Sequence, residues 1–269
     1  MRPYRLACLD IDGTLTDGVG GPALAGAVEA VRELRTLAEV RLVTNTTSRS
    51  QRALAAWLAD LGLLAEADHL VLPARLARLL LPPRGHDSGI LLVEDAAREE
   101  FDWFREDPEG DAVLVASESH ALRIADLQPA FRALLRGAAL YTLQANRYYR
   151  KDGALVTDLG PIAAFLAHAG ATEPVNLGKP SRLLFEWLAA EVGVRLDEIV
   201  MAGDDAEFDA SGAVRLGMAG VLVRTGKYRA GDETRVSPPP TAVLASIARL
   251  AAWLRGGDAA PTARTPRRG

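Results

Sequence analysis

The sequence is poor in the features that staple, anchor or strongly charge a protein. Cys8 is the single cysteine in 269 residues, so no disulfide within the chain can form and a small disulfide-stapled scaffold is excluded. No apolar run approaches the roughly 20 residues that cross a bilayer. Met1-Arg2-Pro3-Tyr4-Arg5 leads into a short apolar segment without the longer stretch and small-residue cleavage site of a secretion signal. These absences predict a reducing, cytoplasmic setting without a membrane span. Neither sign of charge dominates: 31 basic residues against 35 acidic ones leave a net charge of -4, which gives no global field for a nucleic acid or an anionic membrane. The expected partner is a small soluble substrate. Lysine is scarce too, because arginine supplies every basic residue except Lys151, Lys179 and Lys227. A genome that favours arginine codons accounts for the bias, and a lysine that persists against it draws attention to its ammonium.

What is present is a globular composition, 49% hydrophobic and 25% charged, enough for one large domain or two modest ones. Arg5 to Leu9 reads as a buried strand. Leu24, Val28, Val31, Leu34 and Leu37 then recur at helical spacing before Val40 to Val43 resumes strand character. Ser48 with Gln51 three residues on has the form of a capping box opening a helix through Leu54, Trp57, Leu58 and Leu61. Apolar runs at Ile90 to Val93, Val113 to Ala116, Ile199 to Ala202 and Val221 to Val223 alternate with helical patterns, which predicts an α/β fold with a Rossmann-like, doubly wound parallel sheet. The number of units predicts a second, inserted α/β domain. Turn-rich stretches around Pro82 to Asp87 and Gly170 to Pro174 put core residues at 1–74 and 175–256 around an insert at 75–174. Residues 257–269 hold almost nothing to bury and are expected to be a disordered tail.

Four segments carry chemistry. Asp10-Ile11-Asp12-Gly13-Thr14 follows the first strand, and alternation along a strand sends Asp10 and Asp12 to one face at its carboxyl end. Two carboxylates that close repel unless a cation sits between them, and Mg²⁺, with its preference for oxygen ligands, suits the place. An acidic turn shares the same residues. A calcium loop does not fit, because its required glycine and glutamate positions hold Leu15 and Gly21. Thr44 and Asn45 end the Val40–Val43 strand ahead of a helix, where hydroxyl and N–H donors meet anions, although both are also common turn residues. Gly178-Lys179-Pro180-Ser181 holds one of the rare lysines, with Pro180 suited to the first turn of a helix through Leu183, Leu184 and Trp187. Gly203-Asp204-Asp205, followed by Asp209, ends the Ile199–Ala202 strand.

In this order the segments resemble the motif series of the haloacid dehalogenase superfamily of phosphohydrolases, over residues 1 to about 255. Within it the chain is similar to the branch with a large α/β cap that includes 4-nitrophenylphosphatase-like enzymes, nearest the phospholysine phosphohistidine inorganic pyrophosphate phosphatase group. Asn146 to Gly153 and Val223 to Tyr228 add to the likeness. Asp209-Ala210-Ser211-Gly212 departs from it, where the group has an aliphatic residue and a glycine after the aspartate, a difference that bears on packing. The resemblance implies a phosphatase in which Asp10 attacks phosphorus and Asp12 is the general acid and base. It implies that Mg²⁺ is held by Asp10, Asp12 through its carbonyl, and Asp204. Thr44, Asn45 and Lys179 would meet the phosphoryl oxygens, with Asp205 and Asp209 behind the ligands. The expected substrate is a small phosphorylated metabolite, a phosphoamino acid or pyrophosphate, with Asn146 and Arg147 of the cap touching its unreactive part. A homodimer through the cap is compatible with the likeness. Phosphomutase chemistry, or a regulatory binding protein without turnover, would use the same fold. Dehalogenation is disfavoured by the acid at Asp12, and phosphonate cleavage also needs a cap lysine, for which only Lys151 is available.

Overall fold

The structure, a computed structural model, describes residues 4–47, 49–66, 69–116, 122–151 and 154–256. Ser48, the Asp152-Gly153 turn and the 257–269 tail, for which a helix cap, a hairpin turn and disorder were expected, lie outside the described residues. The chain divides into two compact units: Met1–Thr44, Ala55–Leu70 and Phe185–Gly269 form one, and Asn45–Leu54 with Val71–Leu184 the other. The expected boundaries of the insert, at 75 and 174, both fall inside the second unit.

Strands β1 (Leu6–Leu9), β2 (Glu39–Val43) and β3 (Leu70–Val71) come first. The middle of the chain supplies β4 (Ser88–Leu92), β5 (Arg105–Glu106), β6 (Ala112–Val115), β7 (Ala139–Thr142), β8 (Tyr148–Lys151), β9 (Ala154–Thr157) and β10 (Val175–Asn176). The last are β11 (Ile199–Gly203), β12 (Ala219–Val223) and β13 (Ala242–Leu244). The first unit is built on the sheet β13-β12-β11-β1-β2-β3, with every pairing from β13 to β2 parallel. The second holds a parallel sheet in the order β10-β7-β6-β4-β5 and the antiparallel hairpin β8-β9. The α/β class expected from the alternation is therefore the observed one.

All four residues of β1 and all five of β11 are buried, which is why these strands read as unbroken apolar runs rather than as alternating ones. Burying Leu6 or Leu9 fully contributes about 1.5–3 kcal/mol each. The first helix covers Ala27–Leu34 and buries Ala27, Ala30, Val31 and Leu34, a stripe at helical spacing. It is shorter than the apolar pattern suggested. Gly26, at φ 77°, takes a left-handed conformation ahead of it, and beyond it the Thr36 hydroxyl and N–H both turn back to the Glu33 carbonyl. The next helix, Gln51–Asp60, has its cap at Ser50, whose Oγ accepts from the Ala53 N–H at 3.3 Å, while the Gln51 N–H bonds to Glu100 Oε1 at 2.7 Å. Pro180 lies ahead of the Arg182–Val192 helix, in a turn closed by the Ser181 N–H on the Gly178 carbonyl at 2.8 Å, and not in the first helical turn. Among the described residues no helix is long and apolar enough to cross a membrane.

Candidate active site

In the first unit, β1 and β11 are parallel neighbours with Leu9 opposite Ala202, so the residues that follow them, Asp10 and Asp204, leave the sheet at its carboxyl edge. The Asp10 N–H extends the ladder by one bond, to the Ala202 carbonyl at 2.9 Å. The chain then turns at once, because the Ile11 carbonyl accepts from the N–H groups of Thr14, Leu15 and Thr16 at 3.2, 2.8 and 3.0 Å. That turn brings the Thr14 hydroxyl to Asp10 Oδ2, at 3.1 Å.

After β11 the Asp205 carboxylate caps a short π-helical turn, Ala206–Ser211, by accepting from the N–H groups of Glu207 and Phe208 at 2.8 and 2.9 Å. The turn carries Asp209 back toward the strand end, where its Oδ2 accepts from the Asp205 N–H at 3.2 Å. Only glycine fits beneath it, since a Cβ on Gly203 would lie 2.0 Å from Asp209 Oδ2. One carboxylate oxygen from each of Asp10, Asp204 and Asp209 falls within 4.8 Å of the others, and all three residues are buried. The Asp12 carboxylate is not one of these three. Asp209 was expected only behind the ligands and stands here among the clustered oxygens.

Burial pushes the Asp204 carboxyl well above the usual carboxylate range, and the charges of Asp10 and Asp209 push the same way, against the pull of Lys227. Asp204 Oδ1 is buried and has no hydrogen-bond partner among the described residues. Three oxygen donors converging where negative charge is under strain suit a hard divalent cation, which takes oxygen ligands and offsets that charge. The donor set fits Mg²⁺ or Ca²⁺ better than a metal that favours nitrogen or sulfur.

The sequence reading missed what holds Asp204. Lys227, noted there only as a rare lysine in a supporting stretch, donates its N–H to Asp204 Oδ2 at 2.7 Å and places Nζ 2.8 Å from Asp205 Oδ2. The Lys227 side chain is 56% exposed, and the carboxylates of Asp205, Asp204 and Asp209 around its inner edge hold the ammonium above its ordinary range. Partial burial penalises the charge on Asp205, and Lys227 more than offsets this, keeping its carboxyl low. The departure at Ala210-Ser211 is absorbed by packing. Ala210 is fully buried beside Leu222, and the Ser211 hydroxyl accepts from Arg215 Nη1 at 3.0 Å. Thr44 is buried immediately after β2.

In the second unit, Asn45 ties down the lysine segment. Its Oδ1 accepts from the Lys179 N–H at 2.7 Å, and its Nδ2 donates to the Lys179 carbonyl at 3.0 Å and, more weakly, to Asn146 Oδ1 at 3.4 Å. The side chain of Lys179 is buried, which for a lysine demands a compensating environment. Asn146 is itself held by Gln144, whose Oε1 accepts from the Asn146 N–H and whose Nε2 donates to Asp158, the cap of the Leu159–Gly170 helix. Gln144 escaped the sequence reading because a buried glutamine has no pattern of its own. Arg147 is exposed at the foot of β8, and Tyr148 is 53% exposed, so this tyrosine is not a core residue.

With this geometry in view, residues 7–103 match the model of the haloacid dehalogenase-like hydrolases and residues 176–250 a HAD-hydrolase-like model. Haloacid dehalogenase-like hydrolase domain-containing protein 2 of Mus musculus is 35% identical over 241 residues, 89% of this chain and 91% of that protein. The phospholysine phosphohistidine inorganic pyrophosphate phosphatase of Bos taurus is 38% identical over 234 residues, 85% and 86% of the two chains. Among solved structures, the 4-nitrophenylphosphatase of Thermotoga maritima superposes with a TM-score of 0.81 over 93% of this chain and 97% of that one, at 22% identity, a likeness of fold. A glycerol phosphate phosphatase of Mycobacterium tuberculosis in complex with magnesium gives 0.77 at 25% identity, over 91% and 75% of the two chains.

Proposed function

We propose, for a chain that belongs to the haloacid dehalogenase-like hydrolase family and is a phosphohydrolase, a Mg²⁺-dependent reaction through a phosphoryl-aspartate on Asp10. The observation that carries the reading is the convergence of Asp10, Asp204 and Asp209 at the carboxyl edge of the first unit's sheet. Asp10, the main-chain carbonyl of Asp12 and Asp204 would hold Mg²⁺, with Asp209 beside them. When bound, the ion supplies compensation for the charge that spreads over the phosphoryl oxygens. An Asp10 oxygen attacks phosphorus and the bond from phosphorus to the leaving oxygen breaks as Asp12 gives that oxygen a proton. Asp12 then takes a proton from water, the water oxygen attacks phosphorus, and the Asp10 carboxylate and inorganic phosphate are released. Thr44, Asn45 and Lys179 are assigned to the phosphoryl oxygens, where donors aimed at developing charge act most strongly.

The substrate in this reading is a small phosphorylated metabolite, a phosphoamino acid or pyrophosphate. The insert at 75–174 acts as the cap, and a homodimer through it and a cytoplasmic setting belong to the same reading. Hydrolysis of 4-nitrophenyl phosphate by the purified protein, compared with and without Mg²⁺, tests the reaction. A protein that binds the ester and never turns it over would refute it.

Replacing Asp12 with Asn should separate substrates by their leaving groups. An alkyl phosphate needs a proton on its departing oxygen and should lose about 10²–10⁴-fold in the phosphorylation step, whereas 4-nitrophenolate leaves without one and should lose much less. Rapid mixing resolves that step, and equal losses for both esters would remove Asp12 from the acid's role.

Asn146→Ala and Arg147→Ala should raise KM for the preferred substrate and reorder rates across a panel of phosphate esters. Phosphorylation of Asp10 by acetyl phosphate, which has little beyond the reacting group, should change little. Rates within about twofold across the panel, roughly 0.4 kcal/mol, would move the search for specificity away from this hairpin.

A further inference from the structure

The loop after β12 carries none of the residues assigned to the reaction, yet it touches both acidic segments of the first unit. The Thr225 hydroxyl donates to the Gly13 carbonyl at 2.6 Å, in the turn that follows Asp10 and Asp12. The next residue, Gly226, backs directly onto Gly13. A Cβ on Gly226 would lie 2.5 Å from the Gly13 Cα and 2.1 Å from Asp204 Oδ2, and one on Gly13 would lie 2.2 Å from the same oxygen. Both glycines have left-handed backbones, at φ 57° and 84°. Lys227 then takes the two adjacent aspartates in different ways, its N–H on Asp204 Oδ2 at 2.7 Å and its ammonium on Asp205 Oδ2 at 2.8 Å. Asp204 is left with Oδ2 committed and Oδ1 buried without a partner among the described residues.

We infer that Thr225-Gly226-Lys227 is a positioning clamp that fixes the Asp204 carboxylate against the Asp10 turn, and that it tunes the site toward a small octahedral cation over a larger one. The inference rests on the reading that this cluster holds a divalent cation. Lys227 acts through Asp204 and Asp205 and Thr225 through Gly13, and neither is placed against the substrate. The link to ion choice is geometric. Mg²⁺ demands near-ideal octahedral ligands at 2.0–2.1 Å, while Ca²⁺ accepts six to eight oxygens at longer, variable distances. Letting Asp204 swing therefore penalises Mg²⁺ more than Ca²⁺. Removing the Lys227 ammonium also alters the field at the site, but the two ions carry equal charge, so that change largely cancels in the ratio of their affinities.

The test is isothermal titration calorimetry of Mg²⁺ and of Ca²⁺, without substrate, on the full chain and on Lys227→Met and Thr225→Val, with circular dichroism to confirm folding. The clamp predicts that the ratio of Mg²⁺ to Ca²⁺ affinity falls by about tenfold in Lys227→Met and in the same direction in Thr225→Val, which loses the bond to Gly13 without losing volume. If Lys227→Met does not fold, Thr225→Val decides alone. A ratio within about twofold of the parent's in the folded variants would overturn the clamp. If the parent chain binds neither ion, the cation reading itself fails, and that result is distinct because it appears before any substitution is made.

Discussion

Asp10→Asn should abolish turnover while the fold persists. The carboxylate is 7% exposed and its Oδ2 accepts from the Thr14 hydroxyl at 3.1 Å, a bond that an amide oxygen can keep. Shape is conserved, and what disappears is the nucleophile, because an amide oxygen does not form the covalent bond to phosphorus that the proposed route needs. The substitution also removes one of three carboxylates whose oxygens lie within 4.8 Å of one another, so the unfavourable effect of Asp10 on the charged form of Asp204 eases in the protein without metal. The variant should therefore melt no lower than the parent in chelator. Removing a nucleophile costs orders of magnitude, and steady-state hydrolysis above about a hundredth of the parent's rate would end the covalent mechanism. A drop in melting temperature of many degrees would instead mean that the loss reflects misfolding.

The fold class was legible because parallel sheets covered on both faces write themselves as apolar runs, and β1, β11 and β12 are such runs. Strand ends were legible for the same reason. Once β1 and β11 are recognised, Asp10 and Asp204 must leave at an edge of the sheet, although only the parallel register of Leu9 with Ala202 makes them neighbours. What stayed hidden depends on contacts between distant parts of the chain. The Glu100 carboxylate on the Gln51 N–H joins residues 49 apart, and the Thr225 hydroxyl on the Gly13 carbonyl joins residues 212 apart, with no local pattern in either case. The resemblance places Asp209 behind the ligands, and nothing in the local sequence pattern reveals the π-helical turn that carries its carboxylate into the acidic cluster. Lys227 offered a signal that could have been followed further. It is one of three lysines in a chain that otherwise uses arginine, and its ammonium lies within hydrogen-bond distance of the second aspartate of the Gly203-Asp204-Asp205 segment.

Chelation should remove activity as completely as loss of the nucleophile, and Mg²⁺ alone should restore it. Without a cation the first unit holds Asp10, Asp204 and Asp209 together under burial that already disfavours the charged form of Asp204. An incoming phosphate ester would add further negative charge to that place, so neither binding nor in-line attack by Asp10 is favoured. The Lys227 ammonium does not substitute for the cation, since it is spent on Asp205 Oδ2 at 2.8 Å. Ca²⁺ should occupy the site and inhibit, because its longer and looser coordination leaves the attacking oxygen and phosphorus imperfectly aligned, and a misplacement near 1 Å costs about 10²-fold. Hydrolysis of 4-nitrophenyl phosphate after exhaustive chelation, then with Mg²⁺, Ca²⁺ and both together, distinguishes the cases. The expected series is a loss of at least about 10²-fold, recovery with Mg²⁺, none with Ca²⁺, and suppression of the Mg²⁺ rate as Ca²⁺ is added. Full activity in chelator would separate the acidic cluster from the reaction and leave Asp204 without its proposed part.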